Sequence, residues 1–277
     1  MQGQIHSREN TTVQATLNLE DVKRLQIPDL PFAEQQAIAE VLGALDDKIA
    51  ANSKLVTLAT DLAQAQHAQT LSSTSQSVTY ADIASIGGGG TPSTKNPDYW
   101  GGDIRWAAPS DITALDAPYL EDTPRHITEA GLTASSSPLY PPGSILMTSR
   151  ATIGAFAVAQ IPTAVNQGFI VVQPHDPMTK WWILHEMQRR VPEYISRANG
   201  ATFLELPRGT FKAMKLQIPP ADVIRAFDAR AQALHGAALN ASRESKTLAQ
   251  LRDTLLPALM DGTLRVKDAI TQAEEVL

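Results

Sequence analysis

The sequence predicts an α/β protein: one mixed α/β domain flanked by two long helices that pair as an antiparallel coiled coil. Three observations carry this. The phrase Leu25-Gln26-Ile27-Pro28 returns as Leu216-Gln217-Ile218-Pro219, each time after a basic stretch and before an Ala-rich, helix-like segment. Both of those segments repeat apolar residues at alternating four- and three-residue spacing, which marks a helix seam. Between them, residues 78–206 hold most of the aromatics and glycines and several short β-type runs. A repeated strand-to-helix frame around a single insert suits a measuring device better than an enzyme built round one pocket.

Composition narrows the class. The chain has 277 residues, a net charge of −6 and an apolar fraction of 43%, which is ordinary for a soluble protein. With no cysteine, disulfide frameworks, thiol catalysis and thiolate zinc sites are excluded, and a reducing compartment is suited. No run approaches membrane-span length and residues 1–20 have no apolar core, so a cytoplasmic location is expected. The sequons at Asn10 and Asn240 then carry no meaning. The acidic total argues against a sequence-blind DNA binder. The charge is uneven, however: residues 78–215 are nearly neutral, with Arg189, Arg190, Arg197, Arg208, Lys212 and Lys215 clustered late. That cluster reads equally as a solvated face or as a nucleic-acid footprint.

Residues 1–30 are polar, end in a strand-like run from Arg24 to Ile27, and read as the remnant or tail of something preceding. Residues 31–69 read as the first long helix, with Pro31 and Glu34 suited to its first turn. Its seam is Ile38, Leu42, Leu45, Ile49, Asn52, Val56, Ala59 and Ala63. Asn52 either fixes the register as a buried polar residue or sits at the seam edge in water; the second reading is preferred. Residues 70–79 are rich in Ser and Thr and read as a linker. The domain proper spans 80–219, with strands expected at Ser144–Met147, Ala155–Ala159 and Phe169–Val172. A helix is expected at Met178–Arg190, ended by Pro192. The second long helix occupies 220–260, with Phe227, Ala231, Leu234, Ala238, Ala241, Leu248 and Leu255 on its seam and Pro257 and Gly262 closing it. Residues 261–277 read as a C-terminal tail. Helix pairing is assigned to Ile38, Leu42, Leu45, Ile49, Phe227, Leu234, Leu248 and Leu255.

No catalytic constellation stands out. Gly87 to Ser93 lacks the Gly-Lys-Ser/Thr ending of a phosphate loop, and Pro92 forces Thr91 extended. It reads as a glycine turn that brings backbone close to another surface. Asn96-Pro97-Asp98-Tyr99 resembles the Asn-Pro-Pro-Tyr/Phe motif of amino-methyltransferases, but Asp98 replaces the second Pro, and a turn is the preferred reading. Of His6, His67, His126, His175, His185 and His235, no two stand at metal-ligand spacing on one helix face, so no metal is expected.

Four phrases in this domain resemble the target recognition domain of a type I restriction–modification specificity (S) subunit. They are Gly89 to Ser93 with Tyr99-Trp100, Ser149 to Gly154, Asn166 to Gly168, and Gly200 to Phe203. The frame is similar as well: LPFAEQQAIAEVLGALDDKI at 30–49 is close to the family's central spacer helix, and LRDTLLPALMDGTLRV at 251–266 to its C-terminal one. The resemblance covers roughly residues 15–268, and the order and spacing of the phrases make it specific. A full S subunit has two recognition domains, whereas this chain has one. It is expected to be a natural half subunit or the C-terminal part of a longer or split product.

The resemblance implies a subunit that reads double-stranded DNA and docks methyltransferase subunits on its paired helices, with a restriction subunit joining through the complex. It implies a homodimer, or pairing with another specificity half, to read a bipartite site. No cofactor is expected on this chain; S-adenosylmethionine, and ATP with Mg for restriction, belong to the partners. For DNA contact the candidates are Thr91, Ser93 and Lys95 on the glycine turn, Arg105, Arg150, Asn166 and Gln167 for base edges, and Arg208 and Lys212 for phosphate. Trp100 and Trp106 read as core rather than base-stacking residues. The competing readings are a fragment that occupies the methyltransferase without reading DNA, and a methyltransferase built on Asn96 to Tyr99.

Overall fold

A computed structural model describes residues 10–11, 15–16, 19–24, 28–73, 76–200 and 204–274. Two short strands, β1 (Asn10–Thr11) and β2 (Ala15–Thr16), form an antiparallel pair, followed by α1 (Leu19–Lys23) and the first long helix, α2 (Phe32–Thr70). Then come β3 (Gln76–Thr79), α3 (Tyr80–Ile83), β4 (Ala84–Gly87), β5 (Trp100–Ala107), α4 (Pro109–Thr113), β6 (Tyr119–Leu120), β7 (His126–Ile127) and α5 (Glu129–Ala134). Strands β8 (Ile145–Thr148), β9 (Phe156–Ala159), β10 (Thr163–Val165) and β11 (Phe169–Pro174) precede α6 (Lys180–Arg189), α7 (Val191–Ser196), α8 (Arg208–Ala213) and β12 (Lys215–Ile218). The second long helix, α9 (Ala221–Met260), and a short α10 (Val266–Glu274) complete the order. The second copy of the repeated phrase is thus a strand leading into a helix. The first copy, Leu25 to Ile27, lies outside the described residues.

The chain divides into two compact units, Met1–Asn52 with Arg243–Leu277, and Ser53–Ser242. The division runs through the middle of both long helices, not at their ends as the segment boundaries suggested. The cause is burial. Val56, Ala59 and Ala63 of α2 and Phe227, Ala231, Ala238 and Ala241 of α9 belong to the core of the globular unit. Ile38 and Leu45 with Leu248, Leu255 and Leu259 form a separate core in the other unit.

In that helical unit the partners run in opposite directions. Asp46 accepts from Arg252 at 2.6 Å, Lys48 pairs with Glu244 at 3.3 Å, and Asn52 donates to Glu244 at 2.8 Å. Asp46 meets residue 252 whereas the later Lys48 and Asn52 meet residue 244, so α2 and α9 pair antiparallel. The seam-edge reading of Asn52 is corrected: the residue is 5% exposed, and its amide is satisfied by the Glu244 carboxylate, so a buried polar group is retained without an orphaned donor. Pro257 does not end α9. It sits in the last turn, where its missing N–H removes a single hydrogen bond while Leu255 and Leu259 stay buried on either side. Gly262, at φ +76°, makes the turn. Where a tail was expected, α10 buries Ala269 and Ala273 in the same core.

The globular unit is built on a five-stranded sheet, order β4-β11-β8-β9-β6, and a three-stranded sheet, order β10-β5-β7. Strands β8, β9 and β11 are buried along nearly their whole length, which explains their continuous apolar runs. Strand β5 bulges where both Trp100 and Ile104 face Ile127. Gly101 there takes φ +81°, and a side chain on Gly102 would meet the Ile127 carbonyl. Residues 76–79, expected as linker, form β3 and pair antiparallel with β12. Their Ser/Gln-rich composition hid a strand whose backbone is satisfied by a partner distant in sequence. Pro192 opens α7 as well as following α6, because the first turn of a helix needs no N–H at that position.

Three histidines are buried in this unit: His67 on α2, His185 on α6 and His235 on α9, at 1–2% exposure. Tyr119 Oη lies 2.8 Å from His235 Nδ1, and His235 Nε2 lies 3.0 Å from His185 Nε2. Trp181 stacks on His235 at 3.7 Å between centroids. The Glu186 carboxylate lies 3.6 Å from His67 and is gripped by Arg189. Burial, first of all, holds His67 near 3, His185 near 4 and His235 near 3, well below the ordinary imidazole range.

Candidate nucleic-acid interface

Register places three loops at one end of the five-stranded sheet. Gly87, the last residue of β4, pairs with Val171 of β11, and Phe169, the first residue of β11, pairs with Thr148, the last of β8. The loop leaving β4, the loop leaving β8 and the loop entering β11 therefore share that end of the sheet. These are the glycine turn, the Ser149-Arg150 phrase and the Asn166-Gln167-Gly168 phrase.

Hydrogen bonds knit them together. Gly90 N–H donates to the Val165 carbonyl at 3.0 Å, and a side chain on Gly89 would collide with that same carbonyl, so the backbone contact needs glycine. Thr91 Oγ1 donates to Gln167 Oε1 at 2.7 Å. Asn166 Oδ1 accepts from Gly168 N–H at 2.7 Å, which folds the phrase into a tight turn. Gly168 in turn accepts from Ser149 N–H at 2.8 Å, and the Ser149 carbonyl accepts from Leu206 N–H at 2.9 Å. Ala151 takes φ +58°, turning the chain sharply just after Arg150.

Of the nine expected contact residues, Thr91, Asn166 and Gln167 meet in this cluster, with Ser93 and Lys95 exposed further along the turn. Arg150 is exposed and donates to Glu205 at 2.8 Å. Arg208 opens α8 on the same face, close enough to Gly88 that a side chain there would strike its guanidinium, and Lys212 follows one helical turn later. Arg105 lies on β5 and donates to Asp122 at 3.2 Å. The late basic cluster is largely committed: Arg189 grips Glu186, and Arg190 and Arg197 both grip Glu193. Asn96 Oδ1 accepts from Asp98 N–H at 3.1 Å and opens a single turn at Pro97–Tyr99, so the motif there is built as a turn.

The two tryptophans differ. Trp106 is 3% exposed and donates its indole N–H to the Gly90 carbonyl at 3.0 Å; Trp100 is half-buried and donates to the Ser93 carbonyl at 3.2 Å. Their rings meet edge to face at 5.2 Å. Sequence reasoning missed Arg125, whose guanidinium carbon lies 3.7 Å from the Trp100 ring centroid and 5.1 Å from that of Trp106. Nothing in its Pro-Arg-His setting signals this, since the contact arises from the pairing of β7 with β5.

A family model described as the type I restriction modification DNA specificity domain matches residues 72–236, more than half of the chain. The chain belongs to this type I restriction–modification DNA specificity family. Among relatives of the family, the type I restriction enzyme MjaIX specificity subunit of Methanocaldococcus jannaschii is 38% identical over 140 residues, 50% of this chain and 32% of that protein. The EcoR124I/EcoR124II specificity subunit of Escherichia coli is 27% identical over 206 residues, 69% of this chain and 49% of that one. The chain thus matches less than half the length of these relatives. A crystal structure of a type I restriction–modification S subunit from M. genitalium has the same fold, with a TM-score of 0.61 at 18% identity over 94% of this chain and 69% of that one. No described helix is long and apolar enough to cross a membrane.

Proposed function

We propose that this chain supplies sequence recognition to a type I restriction–modification complex and carries no chemistry of its own. One observation carries this reading. Phrases scattered from Gly88 to Arg208 converge, through named hydrogen bonds, at one end of a rigid sheet and present Thr91, Gln167, Arg150 and Arg208 together. Side chains set on a rigid scaffold are what base readout and phosphate positioning require. The globular unit is one recognition domain, so a two-part site needs a second, from another copy of this chain or a different one. The paired helices would set the gap between the halves. S-adenosylmethionine, and ATP with Mg for cleavage, would be held by partner subunits.

The docking surface for a modification subunit is assigned to an apolar stripe on α2. Leu55, Leu58 and Leu62 are 44%, 56% and 47% exposed and recur at three- and four-residue spacing, on the helix face next to the buried one of Val56, Ala59 and Ala63. Leu58→Glu with Leu62→Glu is expected to abolish co-purification with the modification subunit while leaving the thermal midpoint unchanged. Undiminished co-purification would remove the stripe from the interface.

The test of function is co-expression with the cognate methyltransferase subunit in an unmodified host, followed by mapping of adenine methylation. A new two-part motif is expected, and a palindromic one means that two copies act together. Co-purification without new methylation means that two copies of this chain do not suffice and that a different second half is required; loss of sequence-specific duplex binding by that completed complex overturns the reading in favour of a chain that occupies the enzyme without directing it. Within that assay, Arg105→Ala and Arg150→Ala are each expected to weaken duplex binding about 10-fold or more, the order of one lost bidentate contact. The ion pairs they break are half-exposed and contribute about 0–1 kcal/mol to folding, so the fold should survive. Wild-type affinity in both variants would remove them from the interface.

A further inference from the structure

Most of the arginines in the middle of the globular unit are committed to carboxylates. Arg105, Arg150, Arg189, Arg190 and Arg197 each hold a carboxylate. Arg125 holds none: among the described residues its guanidinium faces two indole rings and donates no hydrogen bond within the chain. Its neighbour Asp122 is already engaged by Arg105 and His126.

The side chain is nevertheless well placed. The Arg125 carbonyl accepts from Trp106 N–H at 3.1 Å and from Thr123 Oγ1 at 2.8 Å, so its backbone is pinned beside β5. The indoles beneath it are tied through their own N–H groups to Gly90 and Ser93 on the glycine turn. A guanidinium at 3.7 Å over a ring centroid is at stacking distance. A cation held over the ring face is positioned there while its N–H groups stay open to solvent. A free, positioned fork beside an exposed polar loop fits an acceptor pair, and on DNA such pairs are the O6/N7 edge of guanine and the phosphate oxygens.

Building on the DNA-reading function above, we propose that Arg125 contacts the duplex as a bidentate donor, with Trp100 as the platform that positions it. The experiment compares the wild-type complex with R125A and R125K complexes, each containing the modification subunit. Anisotropy is read on a duplex carrying the wild-type methylation motif, and the methylome is mapped for each. Arg125 is exposed, and the thermal midpoint of both variants should match wild type. R125A is expected to lose at least about 10-fold in affinity. R125K keeps the charge and loses the fork. A motif relaxed at one position in R125K assigns the guanine edge, and an unchanged motif with weakened binding assigns a phosphate. Wild-type affinity and motif in R125A overturn the proposal. Failure of the wild-type complex to bind or methylate a specific sequence overturns instead the reading on which it rests.

Discussion

Lowering the pH from 7.5 to 5 should cost the globular unit several kcal/mol of stability. His67, His185 and His235 are buried neutral, with burial depressing their pKa values to about 3, about 4 and about 3. In the unfolded chain each returns to about 6.5 and takes up a proton that the folded state refuses. Stability from these groups is therefore complete above about pH 6.5 and falls with pH down to the folded values near 3–4. Each imidazole contributes at most about 1.4 kcal/mol per pH unit, so three acting together reach about 4 kcal/mol per unit. Between pH 6.5 and 5 that amounts to about 6 kcal/mol, comparable with an ordinary folding free energy of about 5–15 kcal/mol. Asp228, whose carboxyl is pushed up by burial, acts in the opposite sense, but it is one group against three. Urea midpoints measured at half-unit steps would reveal the slope, and NMR should show three imidazoles that stay neutral to pH 5. A stability that is flat across this range would refute the account.

The second large effect lies on the helix seam. Leu45 and Leu248 are 1% and 0% exposed within the core of the helical unit. Leu45→Asp or Leu248→Asp removes apolar burial and places a carboxylate where no partner waits, at a cost on the order of 4 kcal/mol. Both side chains are covered by helices of this same chain, so the primary loss is intramolecular pairing. Far-UV circular dichroism should report lost helix, and limited proteolysis should cut within residues 30–52 and 243–274 while the globular unit survives. Wild-type protection in both variants would mean that the seam contributes little.

These cases also show what a single chain reveals before it is folded. The two long helices were legible because a seam needs only local periodicity, and Ile38 to Ala63 supplies it without interruption. Strands β8, β9 and β11 were legible because burial on both faces leaves an unbroken apolar run. Strand β5 was not, since Gly101, Gly102, Asp103 and Arg105 break every strand pattern, and its bulge is set by Ile127 on another strand. The candidate contact residues could be named as types through the phrases that resemble a known family. Their arrangement could not be, because it depends on which loops share an end of the sheet. The buried histidines lie on three elements far apart in sequence, and Arg125 acquires its setting across a strand pair; neither leaves a local trace.

The boundary between the two compact units bears on how recognition modules are exchanged. A transplant cut at the ends of the globular fold, near residues 80 and 219, would leave behind Val56, Ala59, Ala63 and Phe227, and open the donor's core. A transplant of Ser53–Ser242 carries those helix halves with it. Its splice points then fall inside continuous helix, where the recipient must supply Asn52 and Glu244 in matching heptad phase. On the proposed reading, a graft that keeps the donor's core intact carries its share of both long helices, and its junctions fall at helical turns, not loops.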